Sequence, residues 1–217
     1  MRKLLFLVLI LWVLAAPALA SRGPDGKLIW IELDRMRLTL YENGQPTAVY
    51  TIAAGKQATP SPIGIFRVTH RFSTALSGFG TRFLGLNVPW GSYGIHGTNR
   101  PESIGSAASH GCIRLRVRDA EKLFAAVPTY TKVVIEGGPY GPLNWGLRTL
   151  REGDRGADVR QLQLRLIQAG YLWGGADGVF GAATRQAVIT ARKAFALPAG
   201  DAADSALQMA LGMRLFD

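Results

Sequence analysis

Cysteine is almost absent: the 217 residues hold one, Cys112. That excludes an intramolecular disulfide framework, and it leaves a single thiol that needs a reason to persist in an oxidising compartment. Histidine is nearly as scarce, with three residues, of which His96 and His110 precede that cysteine within the same stretch. No HExxH or CxxC occurs, so the usual zinc spacings are missing. Acids are outnumbered, with 15 Asp and Glu against 25 Lys and Arg, a formal charge of +10. The basic residues are scattered and form no long run, which points away from a nucleic-acid footprint and toward a diffusely basic surface. Gly78-Phe79-Gly80 lacks the rest of a phosphate-loop fingerprint and a strand–loop–helix setting. The apolar run Leu4–Leu14 is shorter than the ~20 residues of a membrane span.

What is there gathers between Tyr93 and Leu115, YGIHGTNRPESIGSAASHGCIRL. A thiol with imidazoles close by suits nucleophilic catalysis, because the thiolate attacks and an adjacent base generates it. Gly94, Gly97, Gly105 and Gly111 surround the candidates. Gly111 suits a tight turn whose N–H groups face a developing oxyanion. Two other readings stand beside this one. Cys112 is a buried structural thiol in the first. In the second His96, His110 and Cys112 bind zinc, although His-x-Cys places neighbouring side chains on opposite sides of an extended chain.

The pairs His96-Gly97 and Ser109-His110-Gly111-Cys112-Ile113-Arg114 resemble the active-site segment of the L,D-transpeptidases, the YkuD-like cysteine enzymes that cross-link bacterial cell wall. The resemblance implies that Cys112 is the nucleophile and His96 the base, with the Gly97 carbonyl orienting the imidazole. It also implies a pocket and oxyanion region of Ser109, His110 and Gly111, with Tyr93 and Arg114 binding substrate. A guanidinium matches a carboxylate bidentately, which suits Arg114; a structural ion pair is its other reading. Neither a cofactor nor a metal is implied. The expected partner is peptidoglycan, as a muropeptide donor with an amine acceptor. Water as the acceptor would make the protein an L,D-carboxypeptidase. A zinc-dependent wall hydrolase and a non-catalytic wall-binding protein are further alternatives.

Residues 1–20 read as a secretory signal: Arg2-Lys3, the apolar run, then Ala18-Leu19-Ala20 as a small-x-small cleavage pattern. An uncleaved anchor is the other reading. Loss of this segment removes two bases and no acids, 10 − 2, leaving +8. The protein is thus expected to be exported to the periplasm or wall, meeting membrane only through the signal.

From 27 to 136 a mostly-β catalytic domain is expected, its sheet packed around one helix. Leu28–Leu33, Arg37–Tyr41 and Thr47–Ala53 read as strands, with Asn43-Gly44 as a hairpin turn. Ser61-Pro62-Ile63-Gly64-Ile65-Phe66 resembles the family's turn into a strand and reads as architecture. The stretch 69–90 reads as a mobile flap, with Phe79, Phe83 and Trp90 covering substrate. His70 receives no role. Arg118–Val127 reads as a helix and Thr131–Glu136 as the last strand.

Gly137-Gly138-Pro139-Tyr140-Gly141-Pro142 opens a linker, 137–147. Residues 148–213 then change to helical periodicity, a small three-helix bundle. Its runs Gly153-Asp154-Arg155-Gly156-Ala157-Asp158-Val159 and Asp177-Gly178-Val179-Phe180-Gly181 resemble the peptidoglycan-binding-1 module. Ala191-Arg192 departs from that module's aromatic-Gln pair. The bundle is expected to be a separable targeting unit whose removal spares the chemistry.

Overall fold

The computed structural model describes residues 26–137 and 147–213. The expected signal, 1–20, and the linker between Gly137 and Leu147 lie outside the described residues. Two hydrophobic cores divide the rest. One is built from residues 29–135 and the other from residues 150–213.

The first unit opens as the alternation of its residues requires. β1 (Lys27–Glu32) and β2 (Arg37–Glu42) pair antiparallel, and β3 (Gln45–Thr51) returns along β2. The Asn43-Gly44 turn takes φ of 52° and 84°, the left-handed pair that a two-residue hairpin needs. β4 (Ala54–Gly55) follows, then the long hairpin of β5 (Gly64–Ser77) and β6 (Gly80–Leu86). β7 (Tyr93–Thr98), β8 (Ala107–Ser109) and β9 (Ile113–Arg116) carry the motif. α1 (Val117–Ala126) and β10 (Lys132–Glu136) complete the unit.

Eight strands form one sheet in the order β3-β2-β1-β10-β5-β6-β7-β9, and β4 pairs with β8. The last strand in sequence is therefore central. β10 lies parallel to β1 and antiparallel to β5, which explains its apolar Val133 and Ile135, both buried. Ala120 and Leu123 of α1 bury against β6, β7 and β9. The expectation of a mostly-β fold around a helix holds.

The second unit is three helices, α2 (Ala157–Gln168), α3 (Ala182–Ala194) and α4 (Ser205–Ala210), around Leu162, Leu166, Phe180, Val188 and Leu207. Arg192, where the sequence departs from the related module, is buried and tied. Its Nε donates to the Pro198 carbonyl at 2.7 Å, and Nη1 donates to the Ala202 carbonyl at 3.1 Å and Asp204 Oδ2 at 2.9 Å. It fastens the end of α3 to the cap of α4. Among the described residues no helix is long and apolar enough to cross a membrane.

Candidate active site

β7 sits between β6 and β9, antiparallel to the first and parallel to the second. Its register places His96 beside Phe83 and Arg114, so the motif's two halves become neighbours in space. Cys112 immediately precedes β9, and the backbone N–H of Gly94 acts on its thiol, drawing its pKa down against the effect of burial. Gly94 and His96 stand two apart on one strand and share a face.

His96 is 3 % exposed. Its Nδ1 donates to the carbonyl of Gly97. Burial lowers its pKa to about 4, against the upward pull of the Gly97 carbonyl and the Phe79 backbone, and Arg114 adds to the lowering. Burial also pushes the Cys112 thiol up, with the Gly94 N–H and Arg114 acting the other way. Both shifts favour the neutral form of each group.

The turn before Cys112 is held by Ser109, which is 1 % exposed. Its hydroxyl donates to the Cys112 carbonyl at 2.6 Å and accepts the Gly111 N–H at 2.9 Å. Gly111 adopts φ +113°, which excludes side chains, and a β-carbon there would stand 2.6 Å from Tyr93 Cε1. The Gly111 N–H is engaged by Ser109.

Arg114 is half-buried in β9. Its Nε is buried without a partner, and among the described residues it pairs with no carboxylate. The ion-pair reading of Arg114 therefore has no partner in the described residues. Tyr93 is half-buried, its ring against Gly111. His110 is exposed at the turn, whereas His96 is buried. These two with Cys112 are not grouped as a metal-holding cluster among the described residues.

Most of the 69–90 stretch is the β5–β6 hairpin, with residues 87–90 turning after it. Phe83 of β6 stacks on His96 and Phe79 at the hairpin tip meets His96 edge-on, centroids 5.0 Å apart. Phe79 is exposed. Trp90 does not cover the site: it is buried in the core against Phe66, so that expectation is corrected. His70, without a role in the sequence reading, stacks on the far side of the aromatic row, against Phe72 and Phe83. Sequence reasoning missed Ser109's two hydrogen bonds and the Phe83 stack. The first is hidden because a serine beside a turn is ordinary; the second depends on the β6–β7 register.

The family model described as the L,D-transpeptidase catalytic domain, YkuD, matches residues 26–135. A second, described as a putative peptidoglycan binding domain, matches residues 155–206. The chain is 42 % identical over 116 residues to a putative L,D-transpeptidase YkuD of Bacillus licheniformis, covering 52 % of this chain and 69 % of that protein. It is 40 % identical over 107 residues to the Bacillus subtilis protein of that name, covering 49 % and 64 %. The chain thus spans about two thirds of the length of these relatives. Among solved structures, a mutant Enterococcus faecium L,D-transpeptidase aligns with TM-score 0.46 at 24 % identity, over 51 % of this chain and 49 % of that one. The first family model spans half of the chain and takes in every residue of the site just described, and the protein belongs to the YkuD family of L,D-transpeptidase catalytic domains.

Proposed function

We propose that the protein is an exported L,D-transpeptidase that works in the periplasm or wall on peptidoglycan stem peptides, through a thioester on Cys112. The observation that carries this reading is the His96 imidazole, fixed through Nδ1 by the Gly97 carbonyl on the strand whose Gly94 N–H acts on Cys112.

In this mechanism the donor is a tetrapeptide stem ending in D-alanine. Cys112 attacks the carbonyl before that D-alanine, and His96 Nε2 takes the thiol proton as the C–S bond forms. The Cys112 N–H is the turn donor assigned to the oxyanion, since Ser109 holds the Gly111 N–H. Collapse of the tetrahedral species breaks the C–N bond, and His96 returns the proton to the leaving amine of D-alanine. A diaminopimelate side-chain amine on a second stem then attacks the thioester and frees Cys112. Arg114, with a buried unpartnered Nε and no carboxylate of its own, takes a substrate carboxylate. The bundle adds affinity for the wall polymer.

Incubation of the purified protein with defined tetrapeptide muropeptides, followed by mass spectrometry of products, tests the reading. Loss of D-alanine with a new dimer is expected, and the product mass identifies the acceptor. Intact donor after prolonged incubation would contradict it.

A further inference from the structure

Trp90 lies between β6 and β7 and is 2 % exposed. On one side it meets Phe66 edge-on, centroids 5.9 Å apart. On the other it meets the bundle: a β-carbon built on Gly178 would stand 2.5 Å from Trp90 Cε3 and 2.9 Å from Cδ2. Ala157 and Val179 of the bundle pack half-buried against the same core.

The loop that reaches Trp90 is firmly held. Gln163, buried in α2, accepts the Gly178 N–H at 2.8 Å. The two hydrogens of its Nε2 are shared among Asp177 Oδ1 at 2.8 Å, the Val179 carbonyl at 3.0 Å and Thr184 Oγ1 at 3.1 Å. The Gly156 N–H donates to the Gly178 carbonyl at 2.9 Å. A fully bonded buried amide of this kind fixes a loop in one conformation.

Three residues after Trp90 comes Tyr93, whose ring lies on Gly111. Burial raises the pKa of its phenol, and charges on Cys112 and on the bundle's Asp158 and Arg155 all act on it. Tyr93 packs half-buried against the core that also takes Trp90, Ala157 and Val179, with its ring on Gly111.

We propose that the bundle is a fixed wall of the catalytic unit: its 177–179 loop seats Trp90, and Trp90 and Tyr93 hold the Gly111–Cys112 turn. Tyr93 is on this account a positioning residue. A docked bundle would not be separable in the sense expected from the sequence. The proposal stands on packing and does not depend on the transpeptidase reading.

Two glycines allow a matched test. Gly178 has φ +76° and Gly170 has φ +79°, so alanine strains the backbone alike at both. Only at Gly178 does the new methyl meet Trp90; at Gly170 nothing lies within 4 Å. A protease site placed after Tyr140 in the full-length protein, once cut, is followed by gel filtration. The cut wild type and Gly170→Ala are expected to elute as one species, and Gly178→Ala as two. Iodoacetamide alkylation of Cys112 reads the turn, since it is the sole cysteine. In uncut Gly178→Ala its titration is expected to move to lower pH, because water reaches the turn and burial no longer raises the thiol. Acylation by a soluble tetrapeptide donor is expected to fall about tenfold through kcat, as a mispositioned catalytic group costs rate. Trp90→Phe attacks the same contact from the other side, and the two substitutions are expected to be non-additive. Separation of the cut wild-type halves overturns the proposal. So does an alkylation profile of Gly178→Ala that matches Gly170→Ala.

Discussion

Phe83 lies almost flat against His96, ring centroids 5.7 Å apart and planes 11° from parallel. The stack covers one face of the imidazole, and burial is the main cause of its pKa near 4. Gly94 makes room for it: a β-carbon there would stand 2.3 Å from the Phe83 ring. Phe83→Ala is expected to admit water and move the His96 pKa up toward its ordinary 6.5, read by NMR titration of the imidazole. An unmoved pKa would mean that the other walls of the site set it.

The same shift makes stability depend on pH. His96 is neutral in the fold down to about pH 4, whereas the unfolded chain's imidazole takes its proton near 6.5. Between those values the unfolded state binds more protons, so stability falls as pH drops through the window. The full loss attributable to His96 is on the order of 3 kcal/mol. Chemical denaturation at pH 4 and 7 is expected to show a smaller difference for His96→Gln than for the wild type. Equal differences would contradict a buried neutral imidazole.

His96→Ala removes the proposed base while leaving the thiol. A fall of about 10²–10⁴-fold in acylation at neutral pH is expected. Partial recovery is expected at high pH, where hydroxide supplies thiolate without help. A pH-rate measurement with no recovery would reassign His96 from base to scaffold.

Ser109→Ala strips the Gly111 N–H and the Cys112 carbonyl of their shared partner. Leaving buried groups unmet costs about 1–3 kcal/mol. The expected result is a lower denaturation midpoint together with slower acylation. Wild-type kinetics with lowered stability would show that the turn keeps its shape without the hydroxyl.

Wall affinity is read by pull-down on intact sacculi at low and high salt. The basic charge contributes a part that salt screens. The bundle is expected to contribute a part that survives. The full-length chain therefore stays bound at high salt, and a chain ending at Gly137 does not. Equal binding at both salts by the two chains would remove the bundle from wall recognition.

Much of this was legible because local chemistry decides it. Asn43-Gly44 can only be a tight left-handed turn between the alternating Arg37–Tyr41 and Thr47–Ala53 runs, and the hairpin is there. The one cysteine and the His96-Gly97 pair marked the site before any register was known. What the sequence hid depends on non-local pairing. Trp90, an aromatic in a glycine-rich stretch, read as a substrate cover, yet its partner Gly178 is far away along the chain. Gly111 read as an oxyanion donor because nothing in the sequence says that Ser109, two residues earlier, takes its N–H. Arg192 read as a departure from the related module, and only its three acceptors explain it.

The central claim is a thioester on Cys112. Intact-protein mass spectrometry after brief mixing with a soluble tetrapeptide donor tests it most directly. The account predicts a covalent adduct of the donor less D-alanine on the wild type, mapped to Cys112, with no thioester and no D-alanine release from Cys112→Ser. Release of D-alanine by Cys112→Ser at the wild-type rate would contradict it.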